Sequence, residues 1–322
     1  MPRLKILFVA SECVPFAKTG GLGDVVGALP AALASRGHDV RVVLPRYRSA
    51  KAHPARKLDL ALAVPLGGGE RWGAVWEATL PSSAPGAGAV PVYLLENDFL
   101  YDRSGIYGDA GGGYGDNLLR YAFLSRGALA LARALDFAPD VVHVHDWQSS
   151  LIPVYLDTVE AAGPLGRAAS VLTIHNLGYQ GWFDKDELPV TGLGWEVFHD
   201  RGLEAFDRLN LLKGGLYHAT LVSTVSPRYA QEIRTPDFGE GLDGVLRDRG
   251  GDVIGVLNGI DEAVWNPQTD LHLAARYSAE DLTGKAACKA ALQRQLALPE
   301  RADVPLIGIV SDQDAEVQLG DR

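Results

Sequence analysis

The chain has 322 residues, enough to bury one large or two medium cores. Its composition, 47% hydrophobic and 22% charged, is that of a soluble globular protein, and a formal net charge of −10 argues against a nucleic-acid partner or an anionic membrane surface. Its 2 cysteines, Cys13 and Cys288, are too few for a disulfide framework or a zinc ribbon, and no apolar run approaches a membrane span, so a reducing cytoplasm is the expected setting.

The apolar run Leu4 to Ala10 predicts a first strand. Ser11 and Glu12 end it too soon for a signal-peptide core. Next come Lys18-Thr19-Gly20-Gly21-Leu22-Gly23-Asp24, a helical pattern from Asp24 to about Arg36, and a second apolar run, Val40 to Leu44. Strand, glycine turn, helix, strand is the basic unit of a parallel sheet. Glycines at 20, 21 and 23 remove the Cβ atoms that would hold a ligand off the backbone. The helix start offers unpaired N–H groups and a positive dipole end, and Lys18 adds a cation, so the corner is suited to a phosphate. A nucleoside-triphosphate loop fits poorly, because its lysine follows the glycines. A dinucleotide fingerprint fits poorly too. Ser11 to Thr19 separate strand from glycines, and the second strand ends in Leu44-Pro45-Arg46-Tyr47-Arg48 without a ribose-binding acid.

Farther along, Gly67 to Gly69 and Pro81 to Pro91 flank Arg71 to Leu80, where Trp72, Ala74, Trp76 and Ala78 alternate. A hairpin is predicted there, leading into a strand at Val92 to Leu95. A glycine-rich loop, Gly108 to Asp116, precedes a mostly apolar helix, Asn117 to Leu135, expected to pack on the sheet. Four short apolar runs follow, each ending in polar residues: Val141 to His145 before Asp146, Ser170 to Ile174 before His175-Asn176, Leu221 to Val225 before Ser226-Pro227, and Val253 to Leu257 before Asn258. Ser226-Pro227 reads as a helix cap and first turn. A linker is expected from about Asp261, then a helix from Ser278 to Leu298 with Lys285, Lys289 and Arg294 outward, then a strand within Pro305 to Val310.

In open parallel sheets, ligands bind beyond the carboxyl ends of the strands. Asp146, His175, Asn176 and Asn258 are therefore expected on one rim with the glycine loop. His143 and His145, two apart on a strand, can share a metal, which with Asp146 and His175 would suit a metallohydrolase; the plainer reading packs one histidine inside and leaves Asp146 for substrate. A neutral imidazole beside an amide suits sugar hydroxyls. Tyr179, Trp182, Phe183 and Trp147 can stack on pyranose faces or simply fill the core. Lys213, in Leu212-Lys213-Gly214-Gly215, is either a site cation or a solvated side chain. No Gly-x-Ser-x-Gly elbow is present.

Taken in order, Lys18 to Pro30, Tyr101-Asp102-Arg103, Asp116 to Tyr121, Pro139 to Trp147, Thr173 to Gly181, Leu212 to Tyr217, Thr224 to Pro227 and Val256 to Asp261 resemble the N-terminal half of bacterial glycogen synthases and plant starch synthases. The resemblance implies an α/β fold, a Rossmann-like parallel sheet flanked by helices that forms the N-terminal domain of a GT-B glycosyltransferase. It implies a domain over residues 1–262, an interdomain linker with a helix over 263–304, and a remnant of a C-terminal domain's first strand over 305–322. The implied reaction moves glucose from ADP-glucose to the 4-hydroxyl at the non-reducing end of an α-1,4-glucan with retention. It needs neither metal nor cofactor, and its partners are ADP-glucose and glycogen, with no nucleic acid and no membrane. By resemblance, Lys18 and the Gly20-Gly21 turn meet the diphosphate, Asp146 holds sugar hydroxyls, and His175 faces the transferred glucose near its reacting carbon. These three, Lys18, Asp146 and His175, form the catalytic set. Asp24, Asn176, Tyr179 and Asn258, which lines the donor-sugar side, complete the substrate-binding set. After Ser311 the family's Arg and Lys are replaced by Asp312-Gln313-Asp314-Ala315-Glu316. A truncated chain with little synthase activity of its own is therefore expected, the alternative being a catalytically inactive glucan-binding fragment.

Overall fold

The computed structural model describes residues 2–80, 89–262 and 264–308. The chain divides into two compact units, Met1–Asn258 and Gly259–Arg322. The first is built on a nine-stranded sheet. Its strands are β1 (Lys5–Val9), β2 (Asp39–Pro45), β3 (Arg56–Leu66), β4 (Gly69–Leu80), β5 (Val90–Glu96), β6 (Val141–His145), β7 (Ala169–Ile174), β8 (Leu221–Thr224) and β9 (Val253–Gly255). The spatial order is β9-β8-β7-β6-β1-β2-β5-β4-β3. The seven strands from β9 to β5 are parallel, and β4 and β3 extend the sheet as an antiparallel hairpin. This is the Rossmann-like α/β sheet expected.

The central strand β1, Lys-Ile-Leu-Phe-Val, is buried at every position after Lys5. A continuous apolar run of this kind suits a strand covered on both faces. The topology reverses at β1. Its chain successor β2 lies on one side, and β6 lies on the other, with Val9 opposite Val144. That reversal opens a crevice beyond the carboxyl ends of β1 and β6.

Helix α1 (Gly21–Ser35) begins one turn before the expected Asp24, so Gly21 and Gly23 lie in its first turn and Gly20 caps it. Glycine's poor helix propensity hides such a start from the sequence pattern. Helix α2 (Asn117–Ala134) is buried almost all round and packs against β3 and the single turns near 146–149 and 185–191. Helices α3 (Leu151–Asp157) and α4 (Leu211–His218) pack on each other. The Gly67-Gly68 turn joins β3 to β4, while the adjoining proline-rich stretch falls largely outside the described residues. Trp72 lies 57% exposed near the hairpin's free end, whereas Trp76 is half-buried beneath the Arg46 guanidinium, 3.6 Å from its ring centroid. Ser226 takes the capping role foreseen for it: its hydroxyl accepts from the N–H groups of Arg228 at 3.1 Å and Tyr229 at 3.3 Å.

The second unit holds helix α5 (Thr283–Gln295), shorter at both ends than the expected Ser278 to Leu298. Its Lys285 and Arg294 are exposed. The expected strand near Pro305 does not form over residues 305–308, which have no strand partner among the described residues; residues 309–322 lie outside them. A strand needs a neighbour to pair its backbone groups, and Ile307 is instead largely exposed. Among the described residues no helix is long and apolar enough to cross a membrane.

Candidate functional site

Glu12, three residues past the buried end of β1, organises the glycine loop. One carboxylate oxygen accepts from the N–H groups of Thr19 at 2.6 Å and Gly20 at 3.2 Å. The other accepts from the Thr19 hydroxyl at 2.6 Å and the Tyr107 hydroxyl at 2.5 Å. Tyr107 in turn meets Ser11 Oγ at 2.8 Å. The side chain is buried, so these four donors replace water around it. The amides of Thr19 and Gly20 thus point inward and are already satisfied. The first-turn N–H groups of α1 have no capping side chain and are the ones left to an anion.

The glycines divide their work differently from expectation. A Cβ added to Gly21 would meet nothing within 4 Å, so this backbone faces open space. A Cβ on Gly23 would press on Lys18 Cβ at 3.2 Å and on the Ala17 carbonyl at 3.3 Å. Gly23 therefore lets the loop fold onto its own helix, while Gly21 clears an approach. Lys18 Nζ lies 2.8 Å from Asp24, and both side chains are about half exposed. The cation is held at the helix start while staying in reach of a ligand.

Asp146 follows β6 directly. Its backbone is left-handed, with φ of 53°, a turn that swings its carboxyl across to the neighbouring strand end. There Asp146 Oδ1 accepts from the His175 N–H at 2.7 Å, joining the ends of β6 and β7. Burial pushes the Asp146 carboxyl up to about 7; the backbone N–H groups of His175 and Asn176 oppose that rise and the nearby Glu12 charge adds to it. The glycine loop follows β1 and Asp146 follows β6, and these two strands are direct neighbours in the sheet.

Beneath the rim lies a file of imidazoles. His143 and His145 stack with centroids 4.4 Å apart, Phe8 stacks on His145, and His145 Nδ1 is 3.0 Å from His175 Nε2. His143 Nε2 meets Thr173 Oγ1 at 2.7 Å, and that hydroxyl meets Ser223 at 2.6 Å. Burial pulls His143 down to about 3, His175 to about 4, and His145 well below its ordinary value, so all three are neutral near pH 7. Among the described residues no group of three or more His, Cys, Asp or Glu is arranged to hold a metal ion. The stacked rings serve packing and ring-to-ring contact.

Of the other sequence candidates, Asn176 is exposed and accepts from the Gly178 N–H at 2.9 Å, and Tyr179 is 64% exposed. Asn258 is exposed beyond β9, which is two strands from β7, about 10 Å in sheet spacing. It shares the rim without touching the centre. Trp147 is core: it packs edge-on against Tyr121, centroids 5.0 Å apart, and Gly181 (φ 69°) sits so close that a Cβ would fall 2.5 Å from the indole. Lys213 is neither solvated nor on the rim. Its backbone is capped by Asn210, and its ammonium donates to the carbonyls of Asp200 and Glu204. Glu12 and Tyr107 are the site-forming residues that sequence reasoning missed. The signal available for Glu12 was an acid placed directly after a buried strand.

The comparisons agree with this architecture. The family described as starch synthase catalytic domain matches residues 5–248. Glycogen synthase 1 of Geobacter sulfurreducens is 52% identical over 316 residues, covering 96% of this chain and 62% of its own length. Glycogen synthase of Myxococcus xanthus is 48% identical over 316 residues, covering 96% of this chain and 64% of its own. Among solved structures, the catalytic domain of starch synthase IV from Arabidopsis thaliana, bound to ADP and acarbose, superposes with a TM-score of 0.83 at 34% identity, covering 92% of this chain and 60% of that one. The chain thus spans about three fifths of the length of these relatives. On the match over residues 5–248 and identities near one half, the chain belongs to the glycogen and starch synthase family.

Proposed function

We propose that the chain forms the acceptor-side half of a retaining glucosyltransferase that moves glucose from ADP-glucose to the 4-hydroxyl at the non-reducing end of an α-1,4-glucan. The observation that carries the reading is the pairing of two neighbouring strand ends. Glu12 fixes the glycine loop after β1, and Asp146, after the adjacent β6, grips the backbone of His175. In this reading, residues 1–262 are the domain bearing the rim, 263–304 a linker, and the setting is cytoplasmic, in keeping with free thiols at Cys13 and Cys288.

The chemistry follows from charge. The leaving group is a diphosphate, so a catalyst gains most by stabilising negative charge as it develops. Lys18 and the uncapped first turn of α1 supply that at one end. Neutral His175 offers a hydrogen bond to the transferred glucose without adding a second cation. Asp146, balanced between its two forms near pH 7, takes a sugar hydroxyl as acceptor. Asn176, Tyr179 and Asn258 flank the sugar path, and Asp24 keeps Lys18 in register. The set assigns no side chain as a nucleophile, in keeping with retention by front-face displacement.

Two measurements test this together: saturable binding of maltoheptaose to the chain, and incorporation of labelled glucose from ADP-glucose into glycogen by polypeptide containing it. Binding is expected, and Asp146→Asn or His175→Ala should cut incorporation by about 100-fold or more. Binding with no ADP released would leave a glucan-binding polypeptide without catalysis. No binding, or incorporation indifferent to both substitutions, would overturn the reading.

A further inference from the structure

Asp146 holds the backbone of His175, and His145 holds its ring. His145 Nδ1 lies 3.0 Å from His175 Nε2, so one of these nitrogens donates to the other. His145 has little freedom of its own. Its N–H donates to Ser149 Oγ at 2.7 Å, that hydroxyl donates to the His145 carbonyl at 2.9 Å, and its ring stacks on His143 and Phe8. The ring is fully buried, and its Nε2 meets no partner among the described residues. His175 differs. It is only partly buried, and its Nδ1 makes no hydrogen bond among the described residues and stays open to solvent at the rim.

Both rings are neutral near pH 7, which leaves two ways to place their protons. If His175 donates from Nε2, the His145 proton must sit on its own Nε2, and the core then holds an N–H with nothing to accept it. If His145 donates from Nδ1, the orphan is the bare lone pair on its Nε2. Unpaired N–H groups are the rarer orphans in protein interiors, which favours the second arrangement. The bond made by one ring nitrogen decides where the proton of the other sits. With His175 Nε2 accepting, the His175 proton belongs on Nδ1, the atom open at the rim. That atom is then a donor suited to a sugar oxygen. The opposite tautomer would present a lone pair there and could only accept from a hydroxyl.

We propose that His145 is a positioning residue that holds His175 in the Nδ1–H tautomer, so that the rim presents a ring N–H donor to a sugar oxygen. The proposal rests on the glucan reading of the preceding subsection, in which His175 faces the transferred glucose. Long-range proton–nitrogen NMR spectra of the chain labelled at its histidine nitrogens read the tautomer directly, with His175→Gln identifying the signals. Calorimetry measures maltoheptaose binding alongside. In wild type, His175 should show a protonated Nδ1 and a bare Nε2. His145→Phe keeps a ring in the stack but no donor. It should release His175 into a mixture of tautomers and weaken maltoheptaose binding about three- to tenfold. His145→Asn should restore both, because its amide donates from the place of Nδ1. A role in packing alone predicts the reverse order, with phenylalanine the milder change. A wild-type His175 protonated on Nε2, or a tautomer that survives His145→Phe, overturns the proposal and leaves glucan binding standing. A tautomer that shifts while affinity stays level overturns the donor role. If wild type binds no maltoheptaose, the donor role falls together with the glucan reading.

Discussion

Replacing Glu12 by alanine should destabilise the chain far more than replacing it by glutamine, and the difference can be worked from the four bonds its carboxylate accepts. Alanine leaves the N–H groups of Thr19 and Gly20 without their acceptor. A buried donor left unsatisfied costs about 1–3 kcal/mol. The loop is only part-buried and water can reach it, so the pair should cost about 2–4 kcal/mol, near the lower half of the sum. For a unit of this size that lowers the melting temperature by roughly 4–16 °C. Glutamine can keep its oxygen on the two backbone N–H groups and turn its NH₂ towards the hydroxyls of Thr19 and Tyr107, which rotate to accept. Only the charge assistance is lost, about 1 kcal/mol, or roughly 2–4 °C. Thermal unfolding by circular dichroism reads the ordering, and amide exchange at Thr19 and Gly20 reads its location. Equal damage from both substitutions, or unchanged exchange at those amides in the alanine variant, would refute the idea that backbone capture by Glu12 holds the loop.

The buried imidazoles set an acid limit. Their folded-state pKa values are depressed below the unfolded value of about 6.5, so stability is fully present above it and is lost as pH falls towards about 4. Asp146 acts oppositely, because its raised pKa of about 7 favours the folded state as pH falls from 7 towards about 3.9. Denaturant melts at pH 7 and pH 5 should therefore show lower stability at pH 5, and a steeper loss in Asp146→Asn; a shallower loss in that variant would contradict the sign. Gly21→Ala should leave the melting temperature level or raise it, gaining up to about 1 kcal/mol of helix propensity, while Gly23→Ala should lower it by crowding Lys18. Matching melts for the two variants would show that the loop tolerates both alike. Lys18→Met should change stability by less than about 0.5 kcal/mol, as an exposed pair, yet weaken binding of inorganic pyrophosphate about tenfold by calorimetry. Unaltered pyrophosphate affinity would remove Lys18 from the site.

Much of the sheet was legible because its strands carry their own signal. Val141 to His145 is a strand with those bounds, and β1 differs from its apolar run by one residue at each end. Parallel strands deliver their carboxyl ends to one side, so the polar residues after each run come to one edge of the sheet, though Asn258 stays apart from the others. β3 has the same period of two, in Leu58, Leu60 and Leu62, but it lies at the sheet edge, where half its residues face water and the pattern is diluted. What stayed hidden depends on distant partners. Glu12 is buried by Tyr107, 95 residues away, and a single acid after a strand has no periodicity to reveal it. Trp147 reads equally well as platform or core until Gly181 and Tyr121 arrive against it. The Phe206-Asp207 turn, left-handed at both residues, is concealed because it uses neither asparagine nor glycine.

The left-handed backbone at Asp146 restricts how this position can change over time. Most side chains with a Cβ pay about 1–2 kcal/mol there, and glycine, asparagine and aspartate are the residues that settle in it readily. Asparagine keeps an oxygen for the His175 amide but surrenders the charge, and glycine surrenders both. A lineage that loses the carboxylate therefore has a fold-preserving route out through a single conservative step. A glutamate there would carry that backbone strain together with a different reach, so the reach of the acid is tied to the shape of the main chain.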